Sequence, residues 1–188
     1  MKLLIKNMVC DRCIRVVRQE LEQLGLRVEE VRLGEVEVPA ELTPQQLLEV
    51  QSTLEKNGFE LLNDRRTALV ESIKTLVIEE VQHLKGNKPE SMNFSGYLAE
   101  KTGYDYSYLS HLFSTETGTT IEQYLIAQRI EKVKEWLQYD ELSLSEMAWR
   151  LGYSSSAHLA NQFKKQTGQT PGQYKRGATP ARKTLDQV

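Results

Sequence analysis

The chain has 188 residues, 39% hydrophobic and 27% charged, proportions of an ordinary globular protein long enough for one large core or two small ones. No stretch approaches the roughly 20 apolar residues of a membrane helix. The run Leu3-Leu4-Ile5 is too short for a signal-peptide core, and a total of two cysteines excludes a disulfide scaffold, so the expected location is the cytoplasm.

In chain order, Lys2–Asn7 reads as a strand and Cys13–Leu24 as a helix with Ile14, Val17, Leu21 and Leu24 on one face, ended by Gly25. Val28–Leu33 and Glu35–Val38 flank Gly34 as a hairpin, and Pro39 ends its second strand. Thr43 caps a helix with Pro44 at its first position, running to about Lys56. Asn57-Gly58 then turns the chain into a strand, Phe59–Leu62. The order β-α-β-β-α-β predicts an α+β domain over residues 1–64, a split βαβ sandwich of the ferredoxin-like kind.

Cys10 and Cys13 lie where the first strand hands over to the first helix. Two thiols three positions apart at such a turn can face one soft ion, and thiolates select Cu(I), Zn(II) and similar metals. The helix N-terminus, Arg12 and Arg15 are expected to favour the ionised thiol. Two sulfurs suffice for linear Cu(I), whereas tetrahedral Zn(II) needs two more ligands that no nearby histidine supplies. The stretch Met8-Val9-Cys10-Asp11-Arg12-Cys13 resembles the M-x-C-x-x-C loop of heavy-metal-associated domains, and Gly58-Phe59 is similar to the opening of their last strand. The resemblance covers about residues 1–64 and implies metal or thiol sensing at Cys10 and Cys13. The competing reading is an inherited fold whose thiols no longer bind metal.

From Arg65 the pattern is helical. Leu69, Ile73, Leu76, Val77 and Leu84 mark a helix ending near Gly86, read as packing within the chain rather than as a coiled coil because no heptad seam is sustained. A loop containing Pro89 follows. LSHLFSTETGTTIEQY, from Leu109, recurs fifty residues later as LANQFKKQTGQTPGQY, and Ala99, Gly103 and Tyr104 match Ala148, Gly152 and Tyr153. Two copies make a duplicated helical module, not a solenoid. Each copy reads as helix, glycine turn and second helix; Ser143 and Glu146 form an S-x-x-E capping box before the second copy. A helix from about Thr120 to Gln138, roughly 28 Å long at 1.5 Å per residue, links them. Such a strut could hold two recognition helices about 34 Å apart, one turn of DNA.

Leu98-Ala99, Gly103-Tyr104, YLSHLF from Tyr108, Thr117-Gly118, LSLSEMAWRLGYSS from Leu142, QFKKQTGQTP from Gln162 and Tyr174 together resemble the AraC/XylS family of bacterial transcription regulators. The resemblance covers about Arg65–Arg176. It implies an all-α domain with two helix-turn-helix units over 65–178, with recognition helices near Tyr106–Ser114 and Ser155–Gln166. Ser107, Ser110 and His111 in the first, and Ser156, Asn161 and Gln162 in the second, are then expected to face the groove, Asn and Gln favouring adenine. Arg129, Lys164 and Lys165 are expected to neutralise phosphates. The first helix is poor in basic residues, which gives the second unit more of the affinity. Residues 179–188 form a basic tail with Arg182 and Lys183.

These readings converge on a sequence-specific DNA-binding regulator, responsive to a soft metal ion such as Cu(I) or to thiol state, needing no cofactor. Its expected partners are double-stranded DNA, a second copy of the chain and RNA polymerase, with no membrane. The alternative is a metallochaperone with a helical docking module. An enzyme is not expected: no Ser/His/Asp set, carboxylate pair or phosphate loop occurs, and repair methyltransferases with a similar helical module use four cysteines.

Overall fold

Alternation of charged and apolar side chains opens the chain, and the register of the first sheet follows from it. A computed structural model describes residues 1–62, 64–84, 88, 92–139, 142–177 and 185. The predicted tail at 179–188, Leu185 excepted, and most of the predicted loop around Pro89 lie outside the described residues. The chain forms two units, Met1–Leu76 with Lys88–Gly118, and Val77–Asn87 with Thr119–Val188.

In the first unit the elements come in the expected order: β1 (Lys2–Lys6), α1 (Asp11–Gln23), β2 (Glu30–Arg32), β3 (Glu35–Glu37), α2 (Pro44–Lys56) and β4 (Glu60–Leu62). The sheet runs β2-β3-β1-β4, with every neighbouring pair antiparallel. Leu3, Ile5, Val31, Val36 and Leu61 from the strands share one core with Val17 and Leu21 of α1 and Val50 and Leu54 of α2. Period-two alternation sends the intervening charges to the other face. There Lys2 pairs with Glu35 and Glu37 at 2.8 and 3.2 Å, and Lys6 with Glu60 at 2.8 Å. Exposed pairs of this kind contribute at most about 1 kcal/mol each, so burial carries the domain.

Several boundaries differ from expectation by one or two residues, the largest shifts for local reasons. Helix α1 begins at Asp11 rather than Cys13 because extended Cys10 is its N-cap. Strands β2 and β3 are three residues each, tightened by Gly34 at φ +79° in the hairpin turn. Helix α2 starts where expected, with a complete capping box: Gln46 N–H donates to Thr43 Oγ1 at 3.2 Å and Thr43 N–H to Gln46 Oε1 at 2.9 Å. Thr43→Ala is expected to cost about 1 kcal/mol in urea unfolding; an unchanged midpoint would contradict the cap's role.

Helix α3 (Arg65–Val81) contributes residues to both units. It ends five residues short of Gly86. Gln82 instead turns its side chain inward, donating to Gln128 O at 2.9 Å and Gln128 Oε1 at 3.0 Å, and Leu84 takes a left-handed φ of +48°. Ile73, Val77, Ile78 and Val81 are buried within the chain. The first unit also holds α4 (Phe94–Thr102) and α5 (Tyr106–Thr117). The second holds α6 (Ile121–Tyr139), α7 (Leu144–Arg150), α8 (Ser156–Thr167) and α9 (Pro171–Arg176). Among the described residues no helix is long and apolar enough to cross a membrane.

Candidate nucleic-acid interface

The duplicated segments fold as two helix pairs with the same internal logic. In the first, α4 ends in a left-handed cap at Gly103 (φ +73°), and α5 buries Leu109, Leu112 and Phe113. In the second, α7 opens with the predicted capping box, Ser143 N–H donating to Glu146 Oε2 at 2.8 Å and Glu146 N–H to Ser143 Oγ at 3.3 Å. Met147, Ala148 and Leu151 are buried, and Gly152 turns at φ +71° into α8, which buries Leu159 and Phe163. Both second helices are twelve residues long and end on left-handed glycines, Gly118 and Gly168.

At 100° per residue the buried face of each helix fixes its open face. On α5, Ser107, Tyr108, His111 and Thr115 are exposed, whereas Ser110 is half-buried. On α8, Ala157, His158, Asn161, Lys164 and Lys165 are exposed, whereas Ser156 and Gln162 are half-buried. Open positions of the two helices correspond at an offset of fifty, among them Ser107 with Ala157, Tyr108 with His158, His111 with Asn161, and Thr115 with Lys165. Ser107, His111, Asn161, Lys164 and Lys165 therefore stand on open helix faces. Ser110, Ser156 and Gln162 stand at the flanks.

Sequence reasoning missed Tyr108, Ala157 and His158. The repeat itself held the signal, since at an offset of fifty Ala157 corresponds to Ser107, which was singled out, and His158 to Tyr108 beside it. Tyr108 stacks on Tyr104 with ring centroids 5.4 Å apart, and both rings are exposed.

Arg129, expected to neutralise phosphate, is not fully exposed. It lies on α6, half-buried, with its guanidinium 5.5 Å above the Tyr153 ring rather than extended into solvent. Burial lowers its pKa from the usual guanidinium value, opposed by the nearby Tyr153 and Glu80. Burial likewise raises the Tyr153 phenol. Lys164 and Lys165, in the last turn of α8, are the expected phosphate contacts that remain on an open face.

In the N-terminal unit Cys10 and Cys13 are half-buried, with their sulfurs 3.5 Å apart. The Cys13 thiol is raised above the ordinary cysteine value, first by burial, against which backbone hydrogen bonds from Val9 and Cys10 act in the lowering direction. This reverses the expected preference for thiolate. Stabilisation from the protonated Cys13 is present below the ordinary thiol range and is lost as pH rises through the raised value. The rate of Cys13 alkylation by iodoacetamide is expected to climb with a midpoint above that of a free cysteine; a midpoint at or below it would contradict the burial effect. Among the described residues no group of three or more His, Cys, Asp or Glu could hold a metal ion, so the donor set is two sulfurs, which fits a two-coordinate soft ion and not a tetrahedral one.

Comparison with known proteins agrees with the helical modules. The family described as "Helix-turn-helix domain" matches residues 98–177, both helix pairs and the helix between them. The uncharacterized HTH-type transcriptional regulator YtdP of Bacillus subtilis (strain 168) is 27% identical over 121 residues, 64% of this chain and 16% of that protein. The uncharacterized HTH-type transcriptional regulator SAS0078 of Staphylococcus aureus (strain MSSA476) is 39% identical over 84 residues, 45% of this chain and 11% of that protein. The chain thus spans no more than about a sixth of either relative's length. Among solved structures, the C-terminal domain of AraT, a response regulator from Geobacillus stearothermophilus, is 26% identical with a TM-score of 0.52, covering 64% of this chain and 94% of that one.

Proposed function

We propose that this chain is a sequence-specific DNA-binding transcription regulator of the AraC/XylS type, reading successive major-groove segments with α5 and α8. The observation that carries the reading is the fifty-residue correspondence. Two helices of equal length repeat a buried leucine and phenylalanine, Leu109 and Phe113 in one and Leu159 and Phe163 in the other, and leave equivalent positions open, among them His111 and Asn161. The relatives' descriptions as HTH-type transcriptional regulators support it. Asn161 is the strongest base contact, through adenine, and Lys164 and Lys165 bind phosphate. Ser110, Ser156 and Gln162 reach the groove edge from the flanks. Residues 65–178 form the DNA-binding part and 179–188 a basic tail beside it. The protein acts in the cytoplasm, is not an enzyme, and contacts RNA polymerase, alone or as a homodimer.

The N-terminal residues 1–64 are the sensing part. Their strand order, β2-β3-β1-β4, supports the ferredoxin-like arrangement of heavy-metal-associated domains, and two half-buried sulfurs at 3.5 Å support a soft-metal or thiol switch. Cu(I) would be held by Cys10 and Cys13, and it can alter DNA affinity only by binding one conformation better than another.

Selection from a randomised double-stranded DNA library by the purified chain, with and without Cu(I) and repeated for Cys10→Ser, tests both parts. Enrichment of a two-part motif is expected, with affinity changed by Cu(I) only where both thiols are present. No enrichment at low salt defeats the regulator reading, and tight Cu(I) binding without it favours a metallochaperone. Enrichment indifferent to Cu(I), oxidant and Cys10→Ser defeats the sensing part alone.

A further inference from the structure

The two modules differ in what covers the tyrosine after the turn. Tyr104 and Tyr153 follow the turn glycines Gly103 and Gly152, and each ring meets a ring from the first turns of the helix it precedes. In the first module Tyr104 and Tyr108 are 48% and 43% exposed. In the second, Tyr153 is 8% exposed, and His158 meets it edge-on, with centroids 5.3 Å apart and planes at 86°. The face of Tyr153 lies under the Arg129 guanidinium, and a side chain at Gly152 would come within 3.8 Å of Arg129 Nη2.

Glu80 of α3, in the same unit, has a buried Oε2 with no hydrogen-bond partner among the described residues. Its charge acts attractively on Arg129. A desolvated cation over an aromatic face holds more strongly than an exposed one, and a planar guanidinium suits a ring face better than an ammonium. At the start of α8, His158 N–H donates to Ser155 Oγ at 3.1 Å, and the His158 ring lies 3.2 Å from Ser154 Oγ through Nδ1.

We infer that Arg129 is a positioning residue: backed by the Glu80 carboxylate, it clamps Tyr153 and, through the Tyr153–His158 ring contact, sets where α8 presents Asn161, without touching a phosphate. The inference rests on the DNA-binding reading above for its consequence, though not for its geometry.

The test uses the full chain, a DNA fragment recovered from the library selection and a scrambled fragment of equal length. Arg129→Gln is expected to reduce the preference for the selected fragment about tenfold. It should leave the slope of log affinity against log salt unchanged, and should shift the His158 ring protons in NMR spectra while those of His111 stay in place. Lys165→Gln, the comparison, should lower the slope by about 0.9 and leave His158 alone. A slope reduced by Arg129→Gln as by Lys165→Gln, both fragments weakened equally and His158 unmoved, would overturn the inference in favour of a phosphate contact. If the unaltered chain does not prefer the selected fragment, the DNA-binding reading falls, and the His158 shift alone decides whether the clamp exists. Should Arg129→Gln fail to fold, Glu80→Gln, which keeps the guanidinium and removes the attracting charge, should give the same changes in preference and in the His158 ring protons at smaller size, and no change in either would overturn the inference.

Discussion

Phe163→Ala is expected to destabilise the protein by about 3–5 kcal/mol, the cost of truncating a fully buried aromatic ring whose surroundings cannot collapse. Phe163 has no exposed surface and meets Tyr174 of α9 edge-on, with centroids 5.3 Å apart and planes at 87°. Its ring lies on the face of α8 opposite Asn161, so the cavity left by alanine sits directly beneath the proposed recognition surface. Such edge-to-face pairs contribute about 0.5–1.5 kcal/mol beyond area burial, which puts the expected loss toward the upper part of the range. The transition in urea should move to lower concentration with its slope unchanged. DNA affinity should fall only where the unfolded fraction becomes appreciable. A loss below about 1 kcal/mol would show that α8 is held by something other than this ring.

The second large effect is on binding. Asn161→Ala is expected to weaken a selected fragment by about 1–3 kcal/mol, roughly fivefold to 150-fold, and to relax the preference at one base pair, because a bidentate contact to adenine is lost. Lys164→Gln with Lys165→Gln should behave differently. It should weaken every fragment alike and reduce the salt slope by about 1.8, as two neutralised phosphates require. The contrast follows from position on one helix: Asn161 lies at the middle of the open face of α8, and the two lysines lie in its last turn. Uniform weakening by Asn161→Ala would place that residue on the backbone and move base reading elsewhere.

Much of this arrangement was legible in the sequence because local chemistry and tertiary demand agree. Thr43, Ser143 and Thr170 each begin a helix with a capping box, and Gly103, Gly118 and Gly168 end helices in the left-handed region. Residues that serve as caps and stops leave little freedom in where α2, α5, α7 and α8 lie. Strand ends were less legible, since pairing depends on the partner strand, and β2 and β3 proved shorter than their apolar runs. The end of α3 was hidden because it is set by Gln82 reaching Gln128, forty-six positions away.

The site divides the same way. Helical periodicity picks out Ser107, His111 and Asn161 once the buried faces are known, but it places Ser156 and Gln162 too near the boundary to separate open from half-buried. The half-buried setting of Arg129 was not legible, because a cation in a helix looks the same in sequence whether it meets solvent or an aromatic ring. The Cys13 thiol was misread: counting the nearby arginines ignores the burial that raises it.

A footprint of one protomer on a selected fragment, with hydroxyl-radical cleavage resolving each base pair, tests most directly whether α5 and α8 read DNA together. Two protected segments on one side of the duplex, about 10–10.5 base pairs apart, are expected, and inserting five base pairs between the two parts of the motif should abolish tight binding. A single protected segment, or affinity indifferent to the insertion, would contradict double reading by the duplicated modules.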